Sequence, residues 1–161
     1  SQGANKIILD LRYNTGGLVD EALKIANLFI DKDETLLYTV DSDDKKTETK
    51  AQNDAVDTTS DMVVLVNYYS ASASEILTGA LKDHGRAKVV GEKTYGKGVI
   101  QNVFQLTDGS VLKLTFAEYF TPNENKINQV GIEPDYTVEL PSAGSNDTTD
   151  TQLEKAKEIL K

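Results

Sequence analysis

The chain has 161 residues, no cysteine, and a formal net charge of −9, with 39% hydrophobic and 27% charged residues. That length holds one domain with a real core and no comfortable second one. The acidity argues against sequence-independent binding of nucleic acid or anionic membranes. The missing cysteines exclude disulfides, thiolate metal sites and a cysteine nucleophile.

Ser1–Asn5 reads as a loop or an added leader, and Lys6–Arg12 (KIILDLR) as a short buried strand. Asn14-Thr-Gly-Gly17 turns the chain into a helix with Leu18, Ala22, Ile25, Ala26 and Phe29 on one face. Strand, glycine turn and helix make the first unit of an α/β fold. Thr35–Val40 is a strand and Lys46–Ala51 a weaker, polar one. Gln52–Asp61 is a polar loop, and Met62–Asn67 (MVVLVN) is the most hydrophobic strand. Tyr68 and Tyr69 follow, either lining a groove or packing at the strand end.

Ala73, Ile76, Leu77, Ala80 and Leu81 form the stripe of a helix packed on a core. Ser72 stands at the start of that helix, where unpaired N–H groups favour negative charge. It is an N-cap, a position serine prefers, or a nucleophile with the Ala73 N–H as one donor to a developing oxyanion. After His84 and Gly85, which close the helix, Ala87–Val90 is another strand. Lys97 then sits between Gly96 and Gly98, which let the backbone turn sharply and approach another element. Most lysines are solvated. One covered by apolar neighbours loses its charge more readily and takes a proton from a serine. Val99–Leu106 and Val111–Tyr119 form a hairpin about Asp108-Gly109. Ser142–Thr148 is a polar linker, and Leu153, Ala156 and Leu160 mark a C-terminal helix, with Thr149 and Gln152 spaced as a capping box. The domain reading is therefore a core over 1–141, a linker over 142–148 and a helix over 149–161.

Four segments carry a resemblance. Asn67–Ile76 (NxxSASASEI) followed by Val90–Gln101 (VGExTxGKGxxQ), with Leu9–Gly17 (LDLRxNxGG) before and Gly131–Asp135 (GIxPD) after, resemble the carboxyl-terminal processing (tail-specific) serine peptidases. The segments stand in family order across nearly the whole chain. The resemblance implies that Ser72 is the nucleophile, Lys97 the general base and Gln101 the residue that orients the lysine. It implies an oxyanion hole from the N–H of Ala73 and that of Gly16 or Gly17. Asp10, Arg12 and Asn14 then shape the turn, and Glu75 supports the helix and loop locally. In an extended strand Lys97 and Gln101 lie roughly 13 Å apart, so contact between them needs the bend Gly98 permits. Relatives show TPxG where this chain has Thr121-Pro-Asn-Glu124, which puts that turn in question.

Two rivals are weak. Gly91–Lys97 satisfies seven positions of a phosphate-binding loop, but Gly98 lacks the hydroxyl and a β-rich run follows in place of a helix. His84 lies about 18 Å along a continuous helix from Ser72, too far to be its base.

The resemblance implies a Clp protease/crotonase-like α/β core of strand-turn-helix units with an added antiparallel hairpin. It implies an endopeptidase acting on exported or envelope proteins with flexible C-terminal tails, outside the cytoplasm, without cofactor or metal. Relatives carry an export or anchor segment, helices and a PDZ domain upstream, so the chain reads as part of a longer protein, with a homodimer open. The alternative is a substrate-binding or scaffold domain on the same fold with its dyad disassembled.

Overall fold

The computed structural model describes residues 3–141 and 148–161, so six residues of the expected linker, 142–147, lie outside the described residues. The elements are β1 (Lys6–Asp10), α1 (Val19–Ala26), β2 (Thr35–Asp41), β3 (Lys46–Lys50), β4 (Asp61–Val66) and α2 (Ala73–Asp83). They continue with β5 (Lys88–Gly91), β6 (Val99–Gln105), β7 (Val111–Phe120), β8 (Tyr136–Thr137) and α3 (Thr151–Ile159). Two four-stranded sheets result, in the orders β1-β4-β5-β8 and β3-β2-β7-β6. The first is parallel and the second antiparallel.

β4 explains the layering. Its Met62, Val64 and Val66 point into a core shared with α1 and α2, while Val63 and Leu65 point into a second core under α3. A parallel strand covered on both faces reads as an unbroken apolar run, as MVVLV does. α2 is wedged between the two sheets. Leu77, Ala80 and Leu81 meet the parallel sheet's core, and Ile76 meets Leu37, Tyr119, Ile127 and Ile132 on the antiparallel side. Every residue of α2 from Ala73 to Leu81 is buried, so the helix expected to be amphipathic is enclosed all round. Its end is a Schellman closure, with the Gly85 N–H on the Lys82 carbonyl and the Arg86 N–H on that of Leu81.

Several sequence expectations shift. Leu18 is extended and exposed, and Ile25 is also exposed, so the inward face of α1 is Ala22, Leu23 and Ala26. The helix starts at Val19, which leaves Leu18 outside it. α3 is capped by Asp150 and not Thr149, because the Asp150 carboxylate accepts the Leu153 N–H at 2.9 Å. Gln152 is buried and spans Arg12 and the Val138 carbonyl. Arg12 grips Asp10 through two nitrogens and Asp150 through a third. These bonds hold its guanidinium further above its already high range, and the Arg12 hydrogen bond holds Asp150 below the usual carboxylate range. The questioned Thr121–Asn125 turn does form, with Glu124 at φ 63°, a conformation that favours glycine.

Candidate active site

The three turns that carry the motifs leave the carboxyl ends of β1, β4 and β5, which are neighbours in the parallel sheet. Ligands of open parallel sheets bind beyond those ends. The turns are stitched together there. The buried Asn67 side-chain carbonyl accepts the N–H of Tyr13 at 3.0 Å and of Tyr69 at 3.1 Å. The Ser70 hydroxyl donates to the Leu11 carbonyl at 2.8 Å, and the Ala71 N–H to that of Asn14 at 3.1 Å. The Tyr95 N–H reaches the Ser70 carbonyl at 3.1 Å.

Ser72 sits at the crossing of these turns with φ 58° and ψ −119°, a region that costs a non-glycine residue about 1–3 kcal/mol. Ser70 and Ser74 are buried, whereas Ser72 is only half-buried. Gly16 presses against it. A Cβ at Gly16 would stand 2.6 Å from the Ala71 oxygen and 2.9 Å from the Ser72 Cβ, at a φ of +93° that favours glycine in any case. The Gly16 N–H is committed to the Asn14 side-chain oxygen at 2.9 Å. Among the described residues no acceptor takes the Gly17 N–H, and the Ala73 N–H, in the helix's first turn, has no intrahelical acceptor.

Glu75 does far more than support its helix locally. It is fully buried, and its Oε2 accepts the N–H of both Ser72 and Lys97 at 2.8 Å. Those two backbone nitrogens therefore lie within 5.6 Å of each other, twice the shared bond length. Its Oε1 accepts the Gly96 N–H at 2.7 Å and the Thr94 hydroxyl at 2.6 Å. The Thr94 hydroxyl accepts the Ile132 N–H at 2.7 Å, which binds the Gly131–Asp135 motif to the same carboxylate. Four donors satisfy a group that could not otherwise be buried.

The side chains of the expected site are less complete. Lys97 is exposed, without the apolar cover expected of it. Gln101 is exposed and its amide donates to the Thr115 hydroxyl at 3.1 Å, with no hydrogen bond to Lys97. The backbone shifts register between Ile100 and Gln101. Gly98 is there for close approach, since a Cβ would stand 2.3 Å from the Asn128 nitrogen, while the left-handed turn falls on Gly96 at φ +89°. The loop from Gly91 enters a strand, not a helix. His84 caps the far end of α2 with its Nε2 2.7 Å from the Thr35 carbonyl oxygen.

Sequence reasoning missed the joining roles of Thr94 and Asn67, although both stand inside the quoted motifs. It also missed Tyr13 and Tyr95 as neighbours of Tyr68 and Tyr69. A cavity of about 590 Å³ between α1 and the 52–56 loop touches none of these residues. Among the described residues no group of three or more His, Asp or Glu could hold a metal ion.

A family model described as peptidase family S41 matches residues 1–138. The chain is 50% identical over 142 residues to a probable CtpA-like serine protease of Staphylococcus saprophyticus, covering 87% of this chain and 29% of that protein. Among solved structures, a photosystem II D1 C-terminal processing protease superposes with a TM-score of 0.81 at 38% identity, covering 99% of this chain and 39% of that one. The tricorn protease superposes with a TM-score of 0.63 at 20% identity, over 97% of this chain and 15% of that one; that likeness is one of fold alone. The chain thus spans under a third of the length of the curated relative it matches.

Proposed function

The chain belongs to peptidase family S41, and from that membership we propose that it is the catalytic core of a serine endopeptidase with a Ser72–Lys97 dyad. The carrying observation is the shared Glu75 oxygen, which holds the backbones of Ser72 and Lys97 side by side. In this reading neutral Lys97 takes the Ser72 hydroxyl proton as Oγ attacks the peptide carbonyl. The oxyanion accepts the N–H groups of Ala73 and Gly17, because Asn14 occupies that of Gly16. Lys97 passes the proton to the leaving amine as the C–N bond breaks, and water then releases the acyl chain from Ser72.

Lys97 is exposed, so its desolvation is left to a bound substrate chain or to the remainder of a longer protein. Gln101 orients the lysine once its amide leaves Thr115. The substrates we propose are exported or envelope proteins with flexible C-terminal tails, cut outside the cytoplasm, with an upstream PDZ domain as the partner module.

The second reading, a substrate-binding domain with a disassembled dyad, is favoured by the exposed Lys97 and by the Gln101–Thr115 bond. Cleavage of a disordered protein by this chain and by a longer parent, each beside its Ser72→Ala form, separates the two. The peptidase reading expects the parent to cut and its Ser72→Ala form to be silent. Equal cutting by both forms removes Ser72 as nucleophile, and no cutting by either leaves the binding domain.

A further inference from the structure

We infer that Tyr13, Tyr68, Tyr69 and Tyr95 form one aromatic wall that grips neutral apolar side chains of an extended substrate segment beside the scissile bond. The inference rests on the peptidase reading for its substrate, though not for its geometry. Tyr13 stacks on Tyr69 with ring centroids 5.6 Å apart, Tyr69 meets Tyr68 edge-on at 5.7 Å, and Tyr68 meets Tyr95 at 5.5 Å. All four are more than half exposed, from 53% at Tyr95 to 63% at Tyr13. The rings do pack on one another at the strand end, one of the two readings open for Tyr68 and Tyr69, and that packing still leaves more than half of each ring free for a ligand.

Their placement ties them to the reaction. Each ring precedes one of the three site turns: Tyr13 the Asn14–Gly17 turn, Tyr68 and Tyr69 the Ser70–Ser72 turn, and Tyr95 the Gly96–Lys97 turn. Their backbones are fixed from below, since Asn67 takes the N–H of Tyr13 and Tyr69 and Ser70 takes that of Tyr95. A tyrosine with a fixed backbone has few torsions left to order on binding, so its contact area is gained at little entropic cost.

The ring spacings bound the wall at about 17 Å, or about five residues of extended chain. The wall offers ring faces and edges with no acidic side chain among them, so apolar and aromatic side chains gain its full contact area, while a lysine gains only a weak, exposed cation–π contact.

Binding of labelled eight-residue peptides to the Ser72→Ala protein, read by fluorescence anisotropy, tests this without needing cleavage. One peptide is rich in Phe and Leu, a second has Ser and Asn in their place, and a third has Lys. We expect the Phe/Leu peptide to bind tightest and to weaken about tenfold in a Tyr68→Ser, Tyr95→Ser double variant, while the Ser/Asn peptide barely changes. Both tyrosines are exposed, and an unchanged melting temperature confirms that the variant is folded. Tightest binding of the Lys peptide, equal loss for all three, or no binding of the Phe/Leu peptide at millimolar concentration overturns the proposal. So does a change in sedimentation that shows the rings join two copies of the chain. Apolar-selective binding in a protein that never cuts keeps the wall and removes only the peptidase reading.

Discussion

The parallel sheet and the β6–β7 ribbon are built from similar residues and end in opposite conditions. In β4, Val63 to Val66 have no exposure, covered by α1 and α2 on one side and α3 on the other. In β7, Val111 to Phe116 are all exposed. Pairing of Phe104 with Leu112 puts those two on the same ribbon face as Leu114, and the register shift opposite Phe116 separates this exposed stretch from the buried Ala117 and Tyr119. Apolar alternation alone therefore does not tell a buried strand from an exposed one. The layer around β4 is rigid enough to aim three turns at one point, while the ribbon that starts two residues after Lys97 is free of that packing. This contrast matches a site whose backbone is assembled and whose Lys97 and Gln101 side chains are not.

Four perturbations sharpen or break the contrast. Leu65→Ala removes a side chain enclosed on the α3 side and should cost about 2–5 kcal/mol, measured by urea unfolding; a loss below that range would mean the layer collapses around the gap. Glu75→Gln keeps the shape but turns an amide NH₂ toward one pair of donors, and should cost about 1–3 kcal/mol. If the parent is an active peptidase, it should also lower kcat by about a hundredfold through displaced Ser72 and Lys97 turns, with KM little changed.

The third perturbation is acid. Asp150 is held below its ordinary range in the folded chain, chiefly by the Arg12 hydrogen bond. Its stabilising share is therefore full above the unfolded value of about 3.9 and lost as pH falls through the lower folded value. Melting temperatures from pH 6 to pH 2 should fall, and should fall less in Arg12→Gln. Equal slopes would mean other carboxylates carry the acid response. Smallest of all, Leu114→Ser on the ribbon should change stability by no more than about 0.5 kcal/mol. A loss approaching that of Leu65→Ala would show that the exposed ribbon face is covered in solution.

Much of this was legible beforehand. MVVLVN gave the central strand, the spacing of Ala73 to Leu81 gave α2, and Asp108-Gly109 gave the hairpin, because those signals are local and strong. β8 was not legible: it is two residues long and exists because Asp135 and Val89 exchange hydrogen bonds through backbone and side chain. The Asp150 cap was hidden for a similar reason, since Arg12, far away in sequence, also draws that carboxylate into place. At the site, the motifs marked Ser72, Glu75 and Lys97 as neighbours in sequence pattern. They did not reveal that one oxygen of Glu75 serves both turns, nor that Lys97 would stand in water, because burial depends on what lies across the turn.

The aromatic wall has a practical corollary. The chain contains seven tyrosines and no tryptophan, and four of the seven stand together on one surface. The protein's near-ultraviolet absorbance and intrinsic emission thus come largely from the rim of the Ser72 turn. Binding at that rim is therefore to be sought as a change in tyrosine absorbance or emission, with no label attached.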